Sequence, residues 1–250
     1  MMLYLRPKTC IFLTVRTGSS RLPNKSILNL CGQPTIKYLI DNLKKSKQSN
    51  GLVLCTTTNK EDDILCNIAN DCNIKYFRGS SDDKLYRWLG ACQKFDVDFF
   101  ANVDGDDLFF DYELADHILL QSKNSAVDFI DGQGYLYNDA YGISHQALKK
   151  VCNIKTTEDT EYIKPHFIKA NLNIELVKNY NDKWKKGKAR MTLDYPEDFT
   201  FFETVISAIK PQEISFDNVL KYLHDNPNTV NINYAQEAKW SQNQKRQFKL

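Results

Sequence analysis

Charge of one sign, long apolar runs, histidine and paired cysteine motifs are all scarce in this sequence, and each scarcity removes a class of protein. Lysine and arginine number 33 against 31 aspartates and glutamates in 250 residues. A balance so near neutral does not favour a general nucleic-acid coat or a membrane-surface protein, which need a strong positive field. The apolar run Cys10–Val15 follows Arg6 and Lys8, but it is far too short for a secretory core or for the roughly 20 residues that span a bilayer. With no secretory signal evident, the expected location is the cytoplasm. The seven cysteines (Cys10, Cys31, Cys55, Cys66, Cys72, Cys92, Cys152) form no CxxC, and none of the four histidines sits at ligand spacing. Cys66 and Cys72 have no partner pair, so the thiols read as reduced core residues and not as a zinc site. No internal repeat or low-complexity linker is present. The length and a 42% hydrophobic content leave ample material for a core.

What is present is an alternation of strand-like and helix-like segments. Cys10–Val15 reads as a strand buried on both faces, and residues 35–43 as a helix entered just after Pro34. Residues 51–56 form a second buried strand, and 61–70 a helix with an acidic first turn. Residues 75–78 follow as a strand, and 82–95 as a helix with Leu85, Trp88, Leu89 and Cys92 on one face. Residues 99–103 make a fourth strand, ending at Asp104-Gly105-Asp106-Asp107. This pattern predicts an α/β fold of three layers, a mostly parallel sheet flanked by helices. From about 128 to 190 the pattern loosens around turns at Gly132, Gly134 and Gly142, with short β-like pieces at 128–130 and 174–177 and a helix at 145–151. This stretch reads as a small inserted β/α region, an acceptor pocket or dimer arm, within a single 250-residue domain. A strand at Arg190–Asp194 and a helix burying Phe199, Phe202, Val205, Ile206 and Ile209 follow. Residues 227–250 read as a polar tail carrying Lys239, Lys245, Arg246 and Lys249.

Ligands of open parallel sheets bind beyond the carboxyl ends of the strands. Three polar clusters fall there: the loop Arg16–Lys25, Thr56-Thr57-Thr58-Asn59, and Asp104–Asp107. The first combines Arg16, Arg21 and Lys25 with Thr17, Ser19, Ser20 and Gly18, where free backbone N–H groups and a glycine allow close approach of a phosphate. It is not a Walker loop, since Asn24 and not glycine precedes Lys25, and it lacks the further glycines of a dinucleotide fingerprint. By itself it is either a basic turn or a phosphate cradle. The aspartates at 104, 106 and 107 repel one another unless a cation offsets them, and Mg²⁺ characteristically takes one or two carboxylates plus substrate phosphates. A solvated acidic turn is the plainer alternative. Asp194 adds a carboxylate at another strand end, and Asp198 could cap the helix after it.

These residues carry a resemblance to the cytidylyltransferase family that includes CMP-sialic acid and CMP-KDO synthetases and spore-coat-polysaccharide-type enzymes. Gly18–Lys25 resembles the family's loop ending in R-L-P-x-K, Gly32-Gln33-Pro34 its G-x-P linker, and Asp104–Leu108 its metal-bearing turn. Asp194–Asp198 resembles its D-x-P-E-D. Arg78-Gly79-Ser80, Asp83–Arg87 and Glu161–His166 resemble segments of the spore-coat branch. Asp104 in place of glutamine, and Leu108 in place of proline, depart from the pattern, and Gly132–Gly142 matches no branch.

The resemblance implies a Rossmann-like nucleotidyltransferase fold and transfer of CMP from CTP to an anionic acceptor, with Mg²⁺ as cofactor and pyrophosphate released. The acceptor is a sugar acid, phosphonate or phosphorylated small molecule. It implies Arg21, Lys25 and Asp106 as catalytic, and Asp106 and Asp194 as metal ligands. CTP would be bound by Thr14, Arg16, Gly18, Ser19, Ser20, Thr56, Thr57, Arg78, Ser80 and Asp104. The acceptor would be met by Lys164, His166 and Arg190, with Lys155 and Lys169 as further cations. A homodimer is expected by the same likeness. Against these readings stand strand packing for the two threonines, a surface ion pair for Arg78, a structural His166, and solvated lysines at 183, 185, 186 and 188. Two other functions remain open: a nucleotide-sugar glycosyltransferase using Asp104-Gly105-Asp106 as a DxD motif, and a non-catalytic nucleotide-binding paralogue. The first leaves the R-L-P-x-K loop without a role.

Overall fold

The first strand sets the architecture. In β1 (Thr9–Thr14) every residue is buried, with Ile11 and Leu13 in one apolar cluster and Cys10 and Phe12 in another. Successive side chains of a strand point to opposite faces, so a strand apolar at both parities needs cover on both sides. The computed structural model describes residues 8–248 except 125, 133, 135 and 161. Of the residues named above, Arg6, Glu161 and Lys249 lie outside the described residues.

After β1 come a two-residue hairpin of β2 (Asn29–Leu30) and β3 (Gln33–Pro34), α1 (Thr35–Leu43), β4 (Leu52–Thr57), a 3-10 turn Lys60–Asp62, α2 (Asp63–Asp71), β5 (Lys75–Gly79), α3 (Lys84–Phe95) and β6 (Phe99–Asp104). Next are α4 (Tyr112–Asn124), β7 (Phe129–Asp131), β8 (Tyr141–Ser144), α5 (His145–Ile154), α6 (Lys164–Lys169), β9 (Ile174–Leu176), α7 (Pro196–Ile209), α8 (Phe216–Asp225) and α9 (Tyr234–Phe248). Among the described residues the main sheet runs β5-β4-β1-β6-β8-β7-β9. Its first four strands are parallel. β8 is antiparallel to both β6 and β7, and β9 runs parallel to β7. The expected three-layer, mostly parallel α/β fold is therefore present. No described helix is long and apolar enough to cross a membrane.

Leu39 of α1, Leu65 of α2, Ile118 of α4 and Phe202 of α7 cover one face, while Trp88 of α3, Leu148 of α5 and Phe167 of α6 cover the other. On that second face Phe12 stacks on Phe100 at 4.3 Å between ring centroids, and Trp88 meets Phe100 edge-on at 5.5 Å.

The structure differs from the sequence reading in four places. Residues 128–190 supply β7, β8 and β9 to the same main sheet. Residues 190–194 form no strand, because both edges of β6 are already taken by β1 and β8. The segment runs as an extended strip beside the sheet exit, where the Leu193 N–H donates to the Asp106 carbonyl at 2.9 Å. The helix expected from 61 opens as the 3-10 turn, and the residues read as a polar tail fold into a 3-10 turn Pro227–Ile232 and α9. Glu237 of α9 reaches back to Arg190 and Lys186, at 3.0 and 2.9 Å.

Replacing a buried aromatic by alanine typically costs about 3–5 kcal/mol through lost transfer energy and the cavity left behind. Phe100→Ala should destabilise by that amount, read as a lower urea midpoint with an unchanged slope. A loss under about 1 kcal/mol would mean that the Phe12–Phe100–Trp88 stack is not central to this layer.

Candidate active site

The loop after β1 is held from three sides. At the strand end the Thr14 hydroxyl donates to Asn102 Oδ1 (2.6 Å) and accepts from Trp88 Nε1 (2.8 Å). Three residues on, Thr17 gives its N–H and hydroxyl to Asp62 Oδ1 at 2.8 and 2.7 Å. The other Asp62 oxygen accepts from the Thr57 hydroxyl at the end of β4. Further along, Asn24 adopts φ 58°, a left-handed conformation that asparagine tolerates better than most residues. The Thr35 hydroxyl, at the start of α1, donates to the Lys25 carbonyl at 2.5 Å. These restraints turn the Lys25 side chain toward the exit of β6. There Gly105 packs so closely that an added Cβ would lie 2.6 Å from Val15 Cβ, so the two loops meet without room for a side chain between them.

At that meeting Lys25 Nζ lies between two carboxylates, 2.6 Å from Asp106 Oδ2 and 2.8 Å from Asp194 Oδ1. Arg21 Nη2 adds a bond of 2.5 Å to Asp194 Oδ1. The other Asp194 oxygen accepts from Arg190 at 2.9 Å, and the buried Arg190 guanidinium also binds Asp198 (3.1 Å) and Glu237 (3.0 Å). Asp198 in turn accepts from the backbone N–H groups of Asp194 and Tyr195, both at 2.9 Å, and so caps α7. The two carboxylates on Lys25 differ as acids. Burial pushes Asp194 up, but Lys25 and Arg21 outweigh it and hold it at about 2. Burial pushes Asp106 up and Lys25 offsets this only in part, while repulsion from Asp194 and Asp104 adds to the rise. Asp107 is buried and raised further, by desolvation and then by Asp106 and Asp104, and accepts from the Thr192 hydroxyl at 2.9 Å.

Around this centre lie two adjoining chambers. The first, of about 320 Å³, is lined by the loop residues Arg16, Gly18, Ser19, Ser20, Arg21 and Lys25, with Thr14, Lys84, Arg87, Asp104 and Asp106. The second, of about 190 Å³, includes Asp107, Tyr141, Tyr162, Lys164, Lys186, Arg190 and Asp194. Arg21, Lys84, Asp104 and Asp106 belong to both.

The cytidylyltransferase family profile matches residues 10–182, which span the loop, β6 and most of both chambers. The chain belongs to the cytidylyltransferase family. An uncharacterized protein of Methanocaldococcus jannaschii is 27% identical over 225 residues, covering 88% of this chain and 92% of that one. The spore coat polysaccharide biosynthesis protein SpsF of Bacillus subtilis is 23% identical over 234 residues, or 87% and 95% of the two chains. A 3-deoxy-manno-octulosonate cytidylyltransferase of Brucella ovis is 28% identical over 125 residues, 48% of this chain and 49% of that one. A solved cytidylyltransferase from Leptospira borgpetersenii superposes with a TM-score of 0.80 at 23% identity, covering 90% of this chain and 97% of the other. At 12% identity, a CMP-2-keto-3-deoxy-manno-octonic acid synthetase complexed with CTP gives 0.62 over 80% of this chain and 99% of the other. These structural likenesses carry the fold. Members of the family are CTP-dependent nucleotidyltransferases, so this cytidylyltransferase is an enzyme.

Within the cytidylyltransferase cleft, the expected loop residues and Asp104, Asp106 and Asp194 do come together. Thr14 lines it, but its hydroxyl is spent on Asn102 and Trp88. Of the other residues expected to bind CTP, Thr56, Thr57, Arg78 and Ser80 line neither chamber. Thr56 and Thr57 are fully buried, and Arg78 clamps the carbonyls of Thr57 and Asn59 (2.8 and 2.7 Å) and the Asp63 carboxylate. Ser80 Oγ accepts from the Asp83 N–H at 3.1 Å, before the start of α3. Of the expected acceptor ligands, Lys164 lines the second chamber and pairs with Asp131 at 2.6 Å. Arg190 also lines it, but its three carboxylate partners make it a support for Asp194. His166 lines neither chamber, and Lys155 is buried against Asp83. Sequence reasoning missed Lys84, Arg87 and Asp62 as contributors. The first two lie inside the quoted Asp83–Arg87 segment, whereas nothing local marks Asp62.

Asp62 is the stitch between the loop after β1 and β4. Burial pushes its carboxyl up, but the hydrogen bonds from Thr57 and Thr17 more than compensate, leaving it below an ordinary aspartate. A lowered folded value means its contribution is complete above the unfolded value of about 3.9 and is lost as pH falls through the folded value. Asp62→Ala should cost about 2 kcal/mol or more at pH 7 by stranding buried donors, with the deficit shrinking in acid. Amide exchange at Thr17 should accelerate. Unchanged Thr17 protection would show that the loop is held by other contacts.

Proposed function

We propose that the chain transfers CMP from CTP to an anionic small molecule, releasing pyrophosphate, with Mg²⁺ as cofactor. The observation that carries this reading is the interlock of Lys25 and Arg21 with Asp106 and Asp194, at a wall common to two chambers. A transfer enzyme needs that arrangement: one chamber for the donor, one for the acceptor, and the charged groups where they meet. Positioning and charge stabilisation account for most of the catalysis expected of phosphoryl-group chemistry.

The loop faces the first chamber with Arg16, Arg21 and Lys25 and with Gly18, where an added Cβ would meet nothing within 4 Å. Triphosphate oxygens entering there compete with Asp106 and Asp194 for Lys25, and with Asp194 for Arg21. We assign Arg21 and Lys25 to the β- and γ-phosphates, and Arg16 with the loop N–H groups to the α-phosphate side. The donor set fits Mg²⁺, because two hard carboxylate oxygens already converge on one cation, Lys25 Nζ. Among the described residues no three or more His, Cys, Asp or Glu side chains form a ready metal cluster. Two carboxylates completed by substrate phosphates is the set this ion commonly takes. Asp106 and Asp194 would hold it, and when bound it supplies charge neutralisation at the phosphate oxygens.

The acceptor is assigned to the second chamber, where Lys164 and Lys186 add positive charge beside tyrosines 141 and 162. A sugar acid is supported by the similarity to a 3-deoxy-manno-octulosonate cytidylyltransferase, and a surface-glycan pathway by the similarity to SpsF. A phosphonate or phosphorylated acceptor satisfies the same charge.

A screen of pyrophosphate release over four nucleoside triphosphates and a panel of sugar acids, phosphonates and phosphorylated metabolites should respond only to CTP with an anionic acceptor. Nucleotide release from a sugar nucleotide would instead favour glycosyl transfer. With the acceptor so found, Asp106→Ala should abolish Mg²⁺-dependent turnover while the far-UV circular dichroism stays native; retained turnover would sink the metal assignment. Arg21→Ala removes a charged contact worth about 1.5–3 kcal/mol, so CTP binding should weaken roughly tenfold or more while CMP binding changes little. Equal weakening of the two would move Arg21 away from the β- and γ-phosphates.

A further inference from the structure

The shared wall contains one cation to which neither the family likeness nor the reading above gives a role. We propose that Lys84 is a further catalytic residue, the ammonium that contacts the α-phosphate of CTP between the two chambers. This rests on the CMP-transfer reading.

The placement of Lys84 is tightly specified. It is the first residue of α3, directly after the cap Asp83, whose carboxylate accepts from the Tyr86 N–H at 3.0 Å. Its side chain is only 11% exposed, and Nζ sits 5.1 Å from the Trp88 ring centroid. Nζ donates to Asp104 Oδ1 at 2.9 Å, and the same oxygen accepts from Asn102 Nδ2 at 3.2 Å. Asn102 is tied through the Thr14 hydroxyl back to Trp88 Nε1. The ring over which the ammonium sits and the carboxylate that binds it are thus fixed by one hydrogen-bonded circuit. An ion pair with a partly exposed aspartate contributes little stability by itself, so the circuit orients the cation more than it strengthens the fold.

The reaction says where such a cation belongs. The acceptor oxygen forms its bond to the α-phosphorus as the bond from that phosphorus to the pyrophosphate oxygen breaks. The reacting phosphorus must therefore be reachable from both chambers, which places it at the wall formed by Arg21, Lys84, Asp104 and Asp106. Of the two cations there, Arg21 is engaged with Asp194, on the side assigned to the metal and the leaving phosphates. Lys84 is engaged with Asp104, at the end of β6. A compact ammonium serves as a point charge for the non-bridging α-oxygens, neutralising them without taking up or giving up a proton.

The test needs no acceptor, because CTP and CMP share the α-phosphate and cytidine lacks it. Calorimetric titration of the full chain with CTP and CMP, and NMR titration with cytidine, should show Lys84→Met weakening CTP and CMP alike by about tenfold, with cytidine unchanged. Lys84→Arg should recover much of the loss. The assignment is overturned if Lys84→Met weakens CTP alone, leaves both nucleotides unaffected, or weakens cytidine equally. Should Lys84→Met fail to fold, Lys84→Gln carries the same comparison. A wild-type chain that binds neither CTP nor CMP would overturn the CMP-transfer reading itself, an outcome distinct from any difference between variants.

Discussion

The ammonium of Lys25, held between the carboxylates of Asp106 and Asp194, is the contact on which the rest of the site depends. Three segments far apart in sequence converge on it: the loop after β1, the exit of β6 and the strip before α7. Each brings charge that would be costly to bury alone, because desolvation penalises an unpaired ion far more than an ion in a hydrogen-bonded pair. Together they are tolerated in a half-enclosed cleft. The same arrangement leaves a set of cations and anions that a charged substrate can redistribute without unfolding anything.

Around that contact the support is graded. Asp194 is held hardest, by Lys25, Arg21 and Arg190, and is the strongest acid of the group. Asp106 pairs with Lys25 and lies beside two other carboxylates, which is why burial dominates its behaviour. Asp107 is turned to Thr192 and raised further still, so it belongs to the scaffold of the turn. Behind Asp194 stands the Arg190–Asp198–Glu237 cluster, through which α9 buttresses the site although it lies more than 40 residues downstream. On the opposite side Asp62 fastens the basic loop to β4. Under the proposed reading, the site rests on positioning residues as much as on the groups assigned to face substrate.

Two chambers sharing a charged wall also give the DxD-like turn a role that suits the family. Asp106 belongs with Lys25 of the R-L-P-x-K loop, while Asp104 belongs with Lys84 of α3. One short turn thus addresses both halves of the cleft, and the basic loop that a glycosyltransferase reading left idle becomes its counterpart.

The sequence alone determined the central strands of the sheet through the apolar runs Cys10–Val15, 51–56 and 99–103. Continuous apolar strands alternating with helices point to a mostly parallel sheet covered by helices, so the fold class and the placement of a site at strand ends followed. The R-L-P-x-K loop and the aspartates were legible for the same reason: special chemistry crowded into short stretches leaves a local signature. Tertiary structure alone decided which charges neutralise which. Arg190 sits four residues from Asp194 and is a natural anion ligand on paper, yet Asp198 and the distant Glu237 consume its capacity. Thr57 and Arg78 occupy the right strand ends but are turned into the scaffold by Asp62 and Asp63, and Thr56 is fully buried beside them. Lys84 carries no mark of its own until α3 brings it to Asp104. Burial and pairing are properties of neighbours in space, and those neighbours come from segments whose separation in sequence carries no signal of their contact.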